Sequence, residues 1–289
     1  MSPPHGGETY CFLSCPSVCL SVRPSVRHKV IPLNSSETTH STKFYEILGV
    51  HCKTTNSACR AELGRVNRKN KINLLCIKYL DHILSCLDTL AFKIFQLTNS
   101  NNKWIKQVSK VLNDLGFSYI KGIHTSFKPM IPFIKQRILD QSIQNQHAQI
   151  LNSNKLRFYG IFYKNTRSSY VDILKNRSER STLSKIRLSA HCLEIEKGRQ
   201  NSIPINDRLC KMCNKSVIED EVHFLLNCEK YTELRQSFQN DIKNYLELSN
   251  NINNRKLLFC IDSSSLKVLK ITSLFINKCL LIRNQSAGI

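Results

Sequence analysis

No run of eighteen or more apolar residues occurs in this chain, which excludes a segment built to span a bilayer as a helix. Acidic residues are scarce: 21 Asp and Glu face 42 Lys and Arg in 289 residues, a formal charge of +21. Such an excess repels itself in a compact state unless a polyanion relieves it, which points to DNA, RNA or an anionic membrane surface. The phosphate-loop, dinucleotide, serine-hydrolase and zincin signatures are all missing, so those chemistries have no residues to run on. No two aspartates are adjacent, and no βαβ pattern is present to make a CxxC pair a redox centre. The 13 cysteines are odd in number and unevenly spread, unlike a disulfide framework, and a reducing cytosolic or nuclear compartment suits them best.

What the chain does have is one constellation with a defined chemical use. Cys210, Cys213, His223 and Cys228 follow the spacing C-x2-C-x9-H-x4-C and offer three thiolates and one imidazole. Zn²⁺ takes four such ligands tetrahedrally, and a site closed by four protein ligands is structural because no position stays open for water or substrate. Residues 206–209 lead into the first pair and 217–221 bring the chain back before His223. A short helix then sets His223 and Cys228 about 1.4 turns apart. Phe224 and Leu226 are placed to pack beside the ion. Glu219, Asp220 and Glu221 read as a solvated acidic turn in this loop.

Cys15 to Val26 runs through three copies of a four-residue repeat, Cys-Pro-Ser-Val, Cys-Leu-Ser-Val and Arg-Pro-Ser-Val, which builds no periodic apolar face and is expected to be disordered. It lacks the basic start and small-residue cleavage site of a secretory leader. Beyond Phe44 the periodicity predicts helices over 72–84, 87–97, 104–115 with Gly116 as cap, 134–150, 183–195, 231–246 and 266–282. The stretch 155–163 reads equally as strand or helix. The fold class is mainly α: a helical bundle-like body, a small CCHC module and a disordered start. The boundaries fall at 1–43 for the disordered segment, 44–170 for the helical region, 171–247 for a basic helix with the metal module, and 248–289 for a C-terminal helix.

The strongest basic surface lies ahead of the module. Arg177, Arg180, Ser184, Arg187 and His191 are spaced to line one helical face. Upstream, residues 121–170 hold eight Lys and Arg against the single acid Asp140, with Phe158, Tyr159, Phe162 and Tyr163 interleaved. Arg157, Lys164, Arg167 and Arg199 add to Arg177, Arg180, Arg187 and His191 as candidate contacts to nucleic acid, since cations beside aromatics suit phosphate contact plus base stacking.

Two stretches bear a family likeness. Residues 48–65, containing Arg60, Glu62, Leu63 and Gly64, resemble the segment after the polymerase core in reverse transcriptases of non-long-terminal-repeat retrotransposons. Residues 187–199, with Arg187, His191, Glu196 and Gly198, resemble the basic helix and turn before the terminal zinc motif of those proteins. Cys210, Cys213, His223, Cys228, Tyr231 and Arg235 then follow that motif in order. Ala61 stands where that family's pattern has glycine, and Leu80 where it has an aromatic. The resemblance spans roughly 44–285 and implies a region that grips RNA or single-stranded DNA while catalysis belongs elsewhere. The paired aspartates that hold two Mg²⁺ ions in copying are missing, so no catalytic residue and no enzymatic activity is expected. The expected partner is RNA or single-stranded DNA and not a membrane, and the expected cofactor is structural Zn²⁺. Two alternatives stay open: a helical protein-interaction scaffold ordered by zinc, and a decaying retroelement remnant without selected function.

Overall fold

The computed structural model describes residues 44–98, 102–119, 126–243, 245 and 260–286. The expectations for 1–43 and for the start of the C-terminal region, 248–259, lie outside them. The described residues are mainly helical and hold no strand; one isolated antiparallel bridge joins Leu209 to Ile218. The helices include α1 (Asn56–Glu62), α2 (Arg68–Ser85), α3 (Leu90–Thr98), α4 (Lys103–Asp114), α5 (Ile131–Leu151), α6 (Arg157–Gly160), α7 (Ser169–Ile173), α8 (Arg177–Arg187), α9 (Glu194–Gln200), α10 (Thr232–Lys243) and α11 (Leu266–Ser286). No described helix is long and apolar enough to cross a membrane.

The chain forms two compact units. In the first, residues 69–138, α2, α3, α4 and the start of α5 bury Ile77, Leu80, Leu84, Val108, Leu112 and Ile134. Helix α4 shows how local sequence sets its bounds. The Asn102 side chain accepts the Trp104 N–H at 2.9 Å, which satisfies one of the orphan donors of the first turn. At the other end Gly116 turns to φ +84, and the Phe117 N–H reaches back to the Leu112 carbonyl at 2.8 Å, the six-to-one bond of a Schellman motif. Buried Asp81 accepts from Ser126 Oγ at 2.9 Å and from the Phe127 N–H at 2.7 Å, fixing the chain ahead of α5.

The second unit combines residues 44–68 with 139–286, so the expected boundary at 170/171 does not mark a structural division. Its core gathers Leu48, Ala58, Cys59 and Leu63 with Leu156, Leu183, Ile186, Phe224, Leu269 and Ile276. Helix α11 packs against both α8 and α10. The stretch 155–163 is a 3-10 turn followed by α6.

The expected single helix over 183–195 is two. Helix α8 starts earlier, where the Asn176 side chain accepts the Ser178 N–H, and it ends at Arg187. Ser189 takes φ +49, and the Ala190 N–H bonds the Lys185 carbonyl at 2.8 Å. A serine in the left-handed region terminates the helix where glycine normally does, and so left no compositional mark.

Candidate metal centre

The four sequence-predicted ligands converge. Asn206 to Leu209 and Val217 to Glu221 pair as a short antiparallel turn, with the Cys210 N–H on the Val217 carbonyl at 2.8 Å and the Glu219 N–H on the Arg208 carbonyl at 2.9 Å. This pairing presents Cys210 and Cys213 from one side. His223 and Cys228 come from the other, although not from an α-helix: residues His223–Asn227 form a π-turn, closed by the Cys228 N–H on the His223 carbonyl at 2.7 Å. The wider turn accommodates a five-residue ligand spacing that an α-turn of 3.6 residues would rotate out of line. Asp220 Oδ1 accepts the His223 N–H at 2.7 Å, and Arg235 donates to the carbonyls of Leu225 and Cys228, holding both ends of the turn.

The Sγ atoms of Cys210 and Cys228 lie 4.0 Å apart, Cys213 Sγ lies 3.5 Å from His223 Nε2, and all four donor atoms lie within 4.8 Å of one another. An ion with metal–sulfur bonds of ~2.3 Å and a metal–nitrogen bond of ~2.0 Å in a regular tetrahedron separates its sulfurs by about 3.8 Å and sulfur from nitrogen by about 3.5 Å. The cluster therefore fits one tetrahedral metal ion. A disulfide, at ~2.05 Å, does not describe it, and none of the ten described cysteines is in one. Backbone N–H groups support the sulfurs: that of Met212 points at Cys210 Sγ at 3.4 Å, and that of Lys230 bonds Cys228. Burial pushes the Cys228 thiol up to about 12 and the Cys210 thiol upward, and it lowers the His223 imidazole. A cation reverses that preference at the thiols by binding thiolate directly. An ion held by these four donors, with Phe224, Leu225 and Leu226 buried alongside, would have no position open for water or substrate.

The acidic segment between the ligands is not a solvated turn. Glu219 and Glu221 are buried, and each has assigned partners. Glu219 accepts from both Arg283 Nε at 2.8 Å and Arg283 Nη2 at 2.7 Å and from the Glu194 N–H at 2.7 Å. Arg283 also reaches Glu194 at 3.1 Å. Glu221 accepts from Ser189 Oγ at 2.9 Å and pairs with His191 Nε2 at 3.0 Å. Burial works to raise the Glu221 carboxyl, but His191 and Ser189 outweigh it and bring it down to about 2. The metal loop is thereby tied to α9, α11 and the end of α8. Arg283 went unnoticed in the sequence, yet it carried a signal: it continues the 272, 276, 279 stripe of α11, and a lone charge at a core position requires a buried partner.

The expected basic face turns inward. Arg187 is fully buried, bonded to Glu62 at 2.6 Å and Asp262 at 3.3 Å, with the rings of Tyr159, Phe162 and Tyr170 within 5.9 Å of its guanidinium. The His191 side chain is 1% exposed. Neither is placed to meet a phosphate, because both side chains are buried on internal partners, Arg187 on Glu62 and His191 on Glu221. Arg180 is spent on the carbonyls of Ile47 and Leu174, both at 2.7 Å. Arg199 pairs with Glu196, Arg167 with Asp172, Lys164 with Asp262, and Arg157 lies 3.5 Å from Glu221. Phe158, Tyr159 and Phe162, expected as stacking surface, are core residues. Arg177 alone of the eight is exposed with no ion pair among the described residues, and it lines an open cavity of about 620 Å³ with Tyr45 and Ser178.

Compared with family models, curated proteins and solved structures, the chain matches none.

Proposed function

We propose that this protein binds RNA or single-stranded DNA through a helical body organised by one structural Zn²⁺ on Cys210, Cys213, His223 and Cys228, and that it is related to the post-polymerase region of non-long-terminal-repeat reverse transcriptases. Three thiolates and an imidazole favour zinc over harder ions. The observation that carries nucleic-acid binding is the charge of +21 together with where the acids sit: Glu62, Asp81, Glu194, Glu196, Glu219 and Glu221 are all buried, which leaves the surface still more cationic. Support for the family relation is that its two stretches meet in one bond, Glu62 from the first holding Arg187 from the second. The role is binding, in a reducing compartment such as nucleus or cytoplasm.

The test is metal content of purified protein together with oligonucleotide affinity at two salt concentrations. One zinc per chain is expected, with a log–log salt slope near −4 if about six phosphates of a single strand are engaged. Unchanged helicity after exhaustive chelation would overturn the structural role of the metal, and failure to bind any oligonucleotide would overturn the nucleic-acid role. A second reading, a zinc-ordered protein-docking module, draws on Ile205, Leu209 and Val217, which are exposed in and beside the metal turn. It predicts a partner whose affinity responds only weakly to salt.

A further inference from the structure

Arg180 and Arg187 are turned to internal partners, whereas the unit of residues 69–138 presents a denser cationic surface. Its sequence carries eleven Lys and Arg against three Asp, and one of those three, Asp81, is buried. The charge is organised. At ~100° per residue, Lys103, Lys106 and Lys110 fall within about 60° of the circumference of α4, opposite buried Ile105, Val108 and Leu112. All three lysines are exposed, and the helix has no acid before Asp114. The neighbouring helix α2 places Lys71, Leu75, Lys78, Tyr79 and His82 on its own exposed face, with Leu75 65% and Tyr79 47% exposed.

One contact joins the two faces. The Tyr79 and Trp104 rings meet edge to face, centroids 5.7 Å apart at 68°. Lys71 and Lys78 thus lie on one side of a strip made by Leu75, Tyr79 and Trp104, and the α4 lysines lie on the other. We propose that this two-helix surface is a binding track for single-stranded nucleic acid, with phosphates on the lysine rows and bases against the Tyr79–Trp104 pair. It rests on the nucleic-acid reading above and names the surface and the strandedness. Charge complementarity selects a polyanion. Exposed Tyr79 and half-buried Trp104 between rows of cations select one whose bases are unstacked, because a duplex keeps its base faces out of reach of surface aromatics.

Trp104 is the sole tryptophan of the chain, so its emission reports this surface directly. The full-length protein is titrated with oligothymidylate of about 20 nucleotides, following Trp104 emission and the anisotropy of a labelled copy. The expected result is saturable quenching that tracks the anisotropy, with weaker binding of a duplex of equal length. Lys103→Gln, Lys106→Gln and Lys110→Gln together should lower the steepness of the salt dependence by about two. Tyr79→Leu, which keeps apolar bulk against Trp104, should weaken binding about tenfold. Circular dichroism confirms that each variant is folded. Rising anisotropy with unchanged Trp104 emission, or wild-type affinity and salt slope in the folded triple variant, overturns this surface while leaving nucleic-acid binding in place. No binding of any oligonucleotide overturns both. Quenching by phosphatidylserine vesicles with none by oligothymidylate overturns the proposal in favour of a membrane surface.

Discussion

At the scale of single residues, Arg187 decides how the second unit is held together. Its charge is buried, and burial alone works against the cation, but Glu62 more than offsets this and holds the guanidinium firmly protonated. A buried pair adds little over an apolar replacement, whereas removing one member strands the other. Arg187→Met should therefore cost about 3–5 kcal/mol in urea unfolding, and adding Glu62→Met should recover much of that loss. If the double variant is no better than the single, Asp262 rather than Glu62 is the decisive partner. Ser202 offers the opposite case. It follows α9 at φ +57, is exposed, and has the Ile203 N–H closing on the Gly198 carbonyl at 2.8 Å. Glycine removes the left-handed penalty at some cost in chain entropy, so Ser202→Gly should stabilise by about 0.5–1 kcal/mol. An unchanged or lower urea midpoint would contradict that.

Among elements, legibility followed the physics of periodicity. Helices α2, α4 and α11 were readable because each repeats apolar residues at helical spacing, and Gly116 was readable because glycine at a left-handed cap leaves its name in the sequence. The end of α8 was not, since Ser189 does the same work with an ordinary residue. Arg187 was misplaced for a related reason: periodicity assigns a charged residue to solvent, and only its distant partner Glu62 shows otherwise. The ligand set was legible because spacing survives in one dimension, while the π-turn that accommodates it arises from Asp220 and Arg235 bonds that spacing does not encode. These elements separate two functions of the module. Cys213→Ser should lower metal affinity and, since structural zinc contributes an apparent ~10–16 kcal/mol in small peptides, unfold the module. Arg283→Met leaves buried Glu219 without its cation, while Glu194 keeps Lys211 at 3.1 Å, and should cost about 3–5 kcal/mol with bound metal still near one per chain. Loss of zinc in the arginine variant would show that the two cannot be separated.

For the whole molecule, buried thiols set a limit on the alkaline side. Burial raises Cys59 to about 12, Cys260 to about 11 and Cys279 to about 12, against an ordinary value of 9.0. The folded state keeps protons that the unfolded chain releases, so this contribution is fully present below about pH 9 and is lost as pH climbs toward 11–12. By about pH 10.5 the loss should approach 2 kcal/mol per thiol. Urea midpoints of the wild type should fall between about pH 8.5 and 10.5, and those of Cys59→Ala with Cys279→Ala should fall less. Parallel curves would show that other groups set the alkaline limit.

Arg283 and Glu219 are separated by 64 positions in the chain. During synthesis the ligands emerge by Cys228, so a nascent protein can capture its ion while α11 is still within the ribosome. Such a species could hold metal yet lack the guanidinium that clasps Glu219. Maturation on this reading would run ion first and clasp last, leaving a stalled or shortened product loaded but vulnerable to degradation.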